Sequence, residues 1–376
     1  MVSKTNYIKL SIGSFDLVKG TAIILIVLGH MMSHYDLAGI LPDNAFLPVL
    51  GIFLRIISAG INPMFFIVKG YTSKEAPVKK TFRKSFSGCV IPYLYAAIAI
   101  AILFPIVNSI QYGFRADAFR QAARWVLAFL FGLHDPYAEQ KVLFGIEVRA
   151  CWVTWFLLAM FLSVNLFNLI LKVRKTAGQI ALVILSVVTG CLLGMVNFTY
   201  FCLPQGLIAV GYCYTGYSLK RLRFFQKKRR LQIGICGLLL IPTIWEAIYG
   251  SFDLAYNIYR YGPLEIACTC CSGLLLMILC LYANEWKWSG LDWIRQIGVY
   301  TLWIMCIHSV ELICLPWDRI VKSMPQFPLL AFVLEIILKV LIFTISCTVL
   351  KKNSRSRYRR RREKSKNLTV RKEENT

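Results

Sequence analysis

Ten apolar runs along the chain constrain its fold more than any other feature of the sequence. Each is about 20 residues long, the length that an α-helix needs to cross the hydrocarbon core of a bilayer. Because lipid offers no partner for backbone N–H and C=O groups, such runs must form helices. The predicted spans are about 15–35, 47–70, 88–108, 150–171, 179–196, 202–219, 233–249, 263–283, 297–315 and 328–350. The sequence therefore predicts an all-α polytopic membrane protein with about ten transmembrane helices.

The composition supports this fold class and excludes a soluble globular protein. Of 376 residues, 57% are hydrophobic and 16% are charged, and the mean hydropathy is +0.59. The net charge of +24 does not indicate nucleic-acid binding, because Lys and Arg lie between and after the apolar runs. Thirteen cysteines are scattered through those runs, and we interpret them as small buried residues and not as disulfides.

The basic residues predict the orientation of the chain. They concentrate on one side of a ten-span bundle, in the segments 74–84, 172–175, 220–230 and 351–376. Cytoplasmic loops carry such an excess, so both termini are predicted to lie in the cytoplasm. Residues 1–350 form the predicted membrane domain, and residues 351–376 form a basic, disordered cytoplasmic tail. The segment 109–149 contains a helix too short to cross easily, which we expect to be interfacial or re-entrant.

The first apolar run carries ionisable residues on one face. Lys19 and His30 are eleven residues apart, which is close to three helical turns, and Asp16 lies near the same stripe. A rise of about 1.5 Å per residue separates Lys19 from His30 by roughly 16 Å along the axis. An ionisable group in lipid costs a few kcal/mol, so these side chains are expected to face protein or water. The stripe predicts a site that joins one membrane surface to the membrane interior.

Each of these residues also has a plainer interpretation. His30 could be a helix-packing residue bonded to a neighbouring carbonyl, and Lys19 could be an interfacial lysine that extends towards the headgroups. Asp16, three residues before Lys19, is expected to pair with it. His30 and His34 have the spacing of metal ligands, but no third ligand lies near them in the sequence, so no metal site is predicted.

Charged residues also occur in the last two apolar runs. His308 and Glu311 are one turn apart and could line a site for an acceptor, or could form a structural pair. Glu335 and Lys339 are four residues apart, and we expect them to neutralise each other.

Four segments, in order, resemble the family-three membrane acyltransferases, which include bacterial O-antigen, fucose and exopolysaccharide O-acetylases. The segments are FDLVKGTAIILIVLGH, NPMFFIVKGY, WFLLAMF and GVYTLWIMCIH, and the likeness covers about residues 14–350. The hallmark of the family is a basic residue, ten residues of any kind and then His, here Lys19 to His30. Two positions depart from the family pattern: Lys69 stands where Ser usually precedes Gly, and Lys19 stands where Arg is commoner.

The resemblance implies an integral membrane O-acyltransferase that moves an acetyl group from cytoplasmic acetyl-CoA to a hydroxyl of an exported or surface glycan. His30 is then the expected base, and His308 and Glu311 are further catalytic candidates. The residues expected to contact acetyl-CoA are Lys19, Asp16 and Lys69. The implied partners are acetyl-CoA, a glycan or lipid-linked glycan acceptor and the lipid bilayer, with no nucleic acid. The implied location is a bacterial inner or plasma membrane.

A transporter or flippase of a lipid-linked glycan is the alternative function, because it would also need buried charges and about ten spans. Secondary transporters are commonly built from internal repeats, and the two halves of this chain do not resemble each other in Gly, Pro or charge placement. The missing repeat and the spacing of Lys19 and His30 favour the enzyme.

Overall fold

A computed structural model shows the chain as a bundle of α-helices. It describes residues 7, 8, 10, 13–32, 46–113, 116–134, 142–286, 288–324, 326, 327 and 329–350. The α-helices of this part are α1 (Ser14–Met32), α2 (Phe46–Thr72), α3 (Val78–Ser85), α4 (Ile91–Tyr112), α5 (Ala116–Phe131), α6 (Trp155–Ile170), α7 (Thr176–Met195), α8 (Leu203–Arg221), α9 (Arg229–Tyr249), α10 (Pro263–Ala283), α11 (Gly290–Val299), α12 (Thr301–Cys314), α13 (Trp317–Ser323) and α14 (Leu329–Leu350). A short antiparallel hairpin pairs β1 (Val142–Leu143) with β2 (Ile146–Glu147).

Eight helical segments in the described part of the chain are long and apolar enough to cross a membrane, and a ninth results if α11 and α12 count as one span. These segments lie in α1, α2, α3 with α4, α6, α7, α9, α10 and α14. The predicted all-α polytopic membrane fold is therefore confirmed. The structure differs from the predicted ten spans at the sixth and the ninth.

The sixth predicted span is α8, a helix at the centre of the bundle that is less apolar than the others. It packs against α2, α6 and α7 and buries polar side chains, among them Gln205 and Tyr212. Its backbone touches α2 directly, since a Cβ atom added to Gly216 would lie 1.9 Å from the carbonyl oxygen of Ile67. A helix that its neighbours cover faces protein and not lipid, so it needs less apolar surface than a lipid-facing span.

The ninth predicted span is broken in the structure. The chain bends by 81° between α11 and α12, so the prediction of one helix over 297–315 is wrong at its start. Ile297 belongs to α11, which packs against α1, while α12 begins at Thr301. Glycines allow the close approach of α11 and α1: a Cβ atom on Gly298 would lie 1.7 Å from the carbonyl oxygen of Asp16. The bend turns α12 away from α11, and its middle meets the far end of α1.

The short helix predicted within 109–149 is present as α5, which packs on α4 and is followed by the β1–β2 hairpin. Its expected interfacial or re-entrant placement stays a prediction, as does the cytoplasmic location of both termini. The tail 351–376 and His34 lie outside the described residues.

Candidate active site

The bend before α12 brings His308 against His30 of α1. His30 Nδ1 lies 2.9 Å from His308 Nε2, and the two rings stack with their centroids 5.2 Å apart and their planes 24° apart. His308 is fully buried and His30 is half-buried. Two predicted catalytic candidates that are 278 positions apart in sequence thus form one hydrogen-bonded pair.

The contacts continue from His308 into the last helix. His308 Nδ1 lies 2.6 Å from Glu311 Oε1, and Lys339 Nζ lies 2.6 Å from the same carboxylate oxygen. Glu311 and Lys339 are 4% and 2% exposed. We call His30, His308, Glu311 and Lys339 the relay. Four polar side chains from α1, α12 and α14 are therefore joined by three contacts of 2.6–2.9 Å inside an apolar bundle.

Glu335 and Trp317 lie beside the buried end of the relay. Lys339 Nζ lies 3.5 Å from Glu335 Oε1, which is longer than its contact with Glu311. The expected ion pair of Glu335 with Lys339 is therefore present, and α12 brings a second carboxylate, Glu311, closer to the ammonium. The indole N–H of Trp317 donates to the Glu311 carbonyl oxygen at 3.1 Å, and Lys339 Nζ lies 4.1 Å from the centroid of the Trp317 ring.

A second polar region lies near the start of α1. A cavity of about 910 Å³ opens between α1, α2, α3, α6 and the start of α12. We call it the basic cavity, and its charged lining residues are Asp16, Lys19, Lys69, Lys74, Glu75, Lys80 and Lys84. The predicted ion pair between Lys19 and Asp16 is present at 2.7 Å, with each side chain about one-third exposed. All three residues predicted to contact acetyl-CoA thus line one cavity.

The rim of the basic cavity is fixed by side chains from two helices. Asn168 of α6 donates from Nδ2 to the Ala76 carbonyl at 3.0 Å, and the Ala76 N–H donates to Asn168 Oδ1 at 3.1 Å. Lys220, near the end of α8, donates to the Ser73 carbonyl at 3.1 Å. These bonds hold the loop between α2 and α3, which would otherwise leave its backbone groups to water. The rim residues 73–76 are therefore held in place by other parts of the bundle.

The basic cavity and the relay are built on the same two helices. On α1, Lys19 lines the cavity and His30 belongs to the relay, about 16 Å farther along the axis. On α12, Trp303 lines the cavity, and His308 follows five residues later, about 7.5 Å farther along. Helices α1 and α12 therefore both extend from the basic cavity to the histidine pair.

The chain matches a family model described as an acyltransferase domain, over residues 12–351. It belongs to acyltransferase family 3. No curated protein and no solved structure matches it. The resemblance of the four sequence segments is thereby confirmed, and the protein is a multi-pass membrane acyltransferase. The matched range contains the basic cavity and the whole relay.

In a family-3 acyltransferase that acts on a hydroxyl, a base must take the hydroxyl proton, and the relay defines which atom can do so. The Lys339 ammonium can only donate, so Glu311 Oε1 accepts from it and also from the Nδ1–H of His308. Neutral His308 then carries its lone pair on Nε2, which accepts the Nδ1–H of His30. This order leaves a lone pair on His30 Nε2, where a base needs it.

The same order stabilises the product of proton transfer. When His30 Nε2 takes a proton, the positive charge on the ring faces His308, which is in turn bonded to the Glu311 carboxylate. The aspartate of a Ser-His-Asp triad acts on its histidine in the same way, by fixing the tautomer and stabilising the imidazolium. If His30 is the base, His308 and Glu311 act through it and are positioning residues.

Five charged residues of these regions could not be recognised as site residues from the sequence: Lys339 of the relay, and Lys74, Glu75, Lys80 and Lys84 of the basic cavity. The sequence pairs Lys339 only with Glu335, because a four-residue spacing within one helix is visible in a sequence. Its contact with Glu311, which belongs to another helix, is not visible there. Lys80 and Lys84 were counted only as topology signals, although their four-residue spacing puts both on one face of α3, towards the cavity. Among the described residues, no three His, Cys, Asp or Glu side chains are arranged to hold a metal ion.

Proposed function

We propose that this acyltransferase transfers an acetyl group from acetyl-CoA to a hydroxyl of an exported or surface glycan, with His30 as the base. The observation that carries the proposal is the hydrogen-bonded order from Lys339 through Glu311 and His308, which puts the proton of neutral His30 on Nδ1 and leaves Nε2 able to accept one. Buried chains of this kind are costly in a membrane and are typical of proton-handling sites.

The basic cavity supports acetyl-CoA as the donor. CoA carries several phosphate charges, and lysine ammonium groups bind phosphate as point charges. The volume of about 910 Å³ lies within the range of roughly 300–1,000 Å³ for ligand sites. The cavity lies beside the Lys-rich segment 74–84, which the positive-inside rule assigns to the cytoplasm, where the donor would be found.

The proposed transfer is direct. His30 Nε2 removes the proton from the acceptor hydroxyl while the hydroxyl oxygen attacks the carbonyl carbon of the thioester. A C–O bond forms and the C–S bond breaks, so the acetyl ester is released together with CoA thiolate. The thiolate then takes the proton from His30, which returns the base to its starting state. His308 and Glu311 stabilise the charge on the His30 ring between the two proton transfers.

The glycan acceptor is proposed from the likeness of the four segments to bacterial O-acetylases. The geometry of α1 agrees with a donor and an acceptor that arrive from opposite sides. If Lys19 lies at the cytoplasmic face, His30 lies roughly 16 Å deeper, which is about half of the hydrocarbon thickness. A base at that depth can be reached by a thioester from one side and by a glycan, free or linked to a lipid, from the other.

The proposed location is the inner or plasma membrane of a bacterium, with the segments 74–84 and 220–230 in the cytoplasm. Membrane-impermeant thiol labelling of single cysteines placed in these segments tests it, in a background without the other cysteines. We expect labelling only after the membrane is opened. Labelling of intact cells at residue 225 would overturn the orientation, and with it the cytoplasmic donor site.

A transfer assay tests the activity itself. Purified protein in nanodiscs is given acetyl-CoA with a labelled acetyl group and a glycan acceptor, and the His30→Gln variant serves as the control. We expect the label to move to the glycan together with release of free CoA, and neither with the variant. A protein that moves a lipid-linked glycan across the bilayer but neither hydrolyses nor uses acetyl-CoA would be a flippase, and the proposal would be wrong. Mass spectrometry of surface glycans with and without the gene then identifies the acetylated sugar.

A further inference from the structure

We propose that Lys339 of α14 is a positioning residue for acyl transfer, which acts through Glu311 to set the tautomers of His308 and His30. The inference rests on the proposed function of His30 as a base. It assigns a role to the last helix, whose Phe343 also packs against the His308 ring.

Lys339 lies on a helix that is otherwise largely lipid-facing. Ile337, Val340 and Leu341 beside it are 57%, 41% and 53% exposed, while Lys339 itself is 2% exposed. A lysine at the centre of a membrane helix is energetically unfavourable. Such a cost is offset only where the ammonium has partners, and Lys339 has a carboxylate oxygen at 2.6 Å and an aromatic face at 4.1 Å. A buried lysine at this position would be energetically unfavourable if it served packing alone.

The atom that Lys339 contacts decides how it acts. Glu311 Oε1 accepts from both Lys339 Nζ and His308 Nδ1, so one oxygen joins the ammonium to the imidazole. Trp317 fixes both residues, because its indole N–H bonds the Glu311 backbone and its ring faces the ammonium. The ammonium therefore supplies the positive charge that this carboxylate would otherwise draw from the histidines.

Loss of Lys339 has a defined consequence for the histidines. A buried carboxylate without a cation is unstable, and the nearest group that can become positive is His308. If His308 takes up a proton, its Nε2 becomes a donor, and His30 must accept that hydrogen bond on Nδ1. Neutral His30 then carries its proton on Nε2 and can no longer act as a base there. Activity should return at higher pH, where His308 gives up the extra proton.

The ion pairs that lead away from the two rings involve two helices. Glu311 of α12 contacts the His308 ring, Lys339 of α14 contacts Glu311, and Glu335 of α14 contacts Lys339. Helix α4, which packs against α12, contains no charged residue. The charged residues of the other neighbouring helices are Asp16 and Lys19 of α1, which pair with each other, Asp292 and Arg295 of α11, which also pair, Arg55 and Lys69 of α2, Glu265 of α10, and Asp318, Arg319 and Lys322 of α13.

The competing role for Lys339 is a local ion pair with Glu335 that only stabilises α14. The two roles predict different results for matched variants. If Lys339 serves Glu335, then Lys339→Met and Glu335→Gln should have similar effects. If it serves Glu311, Lys339→Met should impair transfer, while Glu335→Gln, which keeps the contact between Lys339 and Glu311, should change it little.

The experiment measures kcat, KM for acetyl-CoA and the pH profile for the wild type, Lys339→Met, Lys339→Arg, Glu335→Gln, Glu311→Gln and the double variant Lys339→Met/Glu311→Gln. We expect Lys339→Met to lower kcat at pH 7 about 10- to 100-fold, with KM for acetyl-CoA unchanged, and to move the acid limb of the profile to higher pH. Glu335→Gln should stay within about threefold of wild type, and Lys339→Arg should keep part of the activity because it keeps the charge.

The double variant keeps the test valid if Lys339→Met does not accumulate as folded protein, since it removes both charges of the pair. It should have the kcat of Glu311→Gln alone, because Lys339 acts through that carboxylate. A further loss in the double variant, equal effects of Lys339→Met and Glu335→Gln, or an unshifted pH profile would overturn the proposal.

A histidine-ring NMR titration separates this proposal from the proposed function. It follows protonation of the His308 ring without any turnover. Lys339→Met should change the protonation of His308 in protein that keeps Glu311, and should have no such effect in protein that carries Glu311→Gln. Wild-type protein that shows this coupling but does not use acetyl-CoA would contradict the proposed function alone. Active wild-type protein without the coupling would contradict the role of Lys339 alone.

Discussion

The relay and the basic cavity both begin on α1, but they hold their charges in different ways. In the relay, His308, Glu311 and Lys339 are at most 4% exposed, and each contact joins one named atom to another. In the basic cavity, Lys19 and Asp16 are about one-third exposed and line an open volume of about 910 Å³. The relay therefore depends on the position of individual atoms, whereas the cavity depends on the sum of its charges.

The difference has an energetic basis. An ion pair that water reaches contributes about 0–1 kcal/mol, because solvent and salt screen it. Removal of one partner from a buried pair costs about 3–5 kcal/mol, because the other charge is left uncompensated. Substitutions that remove a charge or a hydrogen-bonding atom should therefore cost more in the relay than in the cavity, and the following variants test this contrast.

The largest effect is expected at His30. His30→Ala and His30→Gln should both lower acetyl transfer by at least about a hundredfold, since neither side chain can take a proton. The glutamine variant is the more informative, because its amide can still bond to His308. Acetyl content of the acceptor is measured and normalised to the amount of folded membrane protein. Near-normal transfer by His30→Gln would make His30 a packing residue and would remove the difference between the two regions.

A smaller loss is expected when the carboxylate of the relay is replaced. Glu311→Gln keeps the shape but not the charge, so His308 can take either tautomer and kcat should fall about 10- to 100-fold. KM for acetyl-CoA should not change, because Glu311 does not line the basic cavity. Steady-state kinetics at several acetyl-CoA concentrations distinguish the two parameters, and a rise in KM alone would show that the relay is not separate from donor binding.

Lys19 tests the other side of the comparison. Lys19→Ala should raise KM for acetyl-CoA about three- to tenfold with little change in KM for the acceptor, whereas Lys19→Arg should be partly tolerated because charge is kept. The effect of Lys19→Ala should shrink at high salt, as expected for a screened contact. Equal losses towards both substrates in normally folded protein would indicate a structural role for Lys19.

The smallest individual effects are expected for the cations farther along the cavity wall. Lys80→Ala and Lys84→Ala should each raise KM for acetyl-CoA about two- to threefold, and their effects should add in the double variant, since the cavity acts through its summed charge. Lys79→Ala, at a neighbouring position that does not line the cavity, is the matched control. A loss at Lys79 as large as at Lys80 would mean that charge at any position of α3 is sufficient.

The sequence predicted the residues of both regions better than it predicted their contacts. Spacing placed Lys19 and His30 on one face of α1, and the ion pair of Lys19 with Asp16 follows from three-residue spacing within a helix. The contact of His30 with His308 could not be predicted, because it depends on the 81° bend between α11 and α12. No proline marks that bend, and a continuous apolar pattern runs through it.

The same limit applies to α8 and to the contact of Lys339 with Glu311. Hydropathy depends only on the residues of one helix. It therefore contains no information that α8 is covered by α2, α6 and α7, and that α8 need not face lipid. Helical spacing likewise registers Glu335 as the neighbour of Lys339 but not Glu311, which comes from another helix. Contacts within a helix are encoded by local periodicity, and contacts between helices are decided by how the whole bundle packs.

The relay should leave His30 Nε2 unprotonated, and ring ¹⁵N NMR tests this most directly. The chain has only four histidines, so labelled protein and single His→Gln variants assign each signal. Above the pH at which the rings protonate, His30 and His308 should each carry one ring proton, on Nδ1, and Nε2 of both rings should be unprotonated. A His30 ring protonated on Nε2 in the folded wild-type protein would contradict the claim, because that nitrogen could not accept the proton of a hydroxyl.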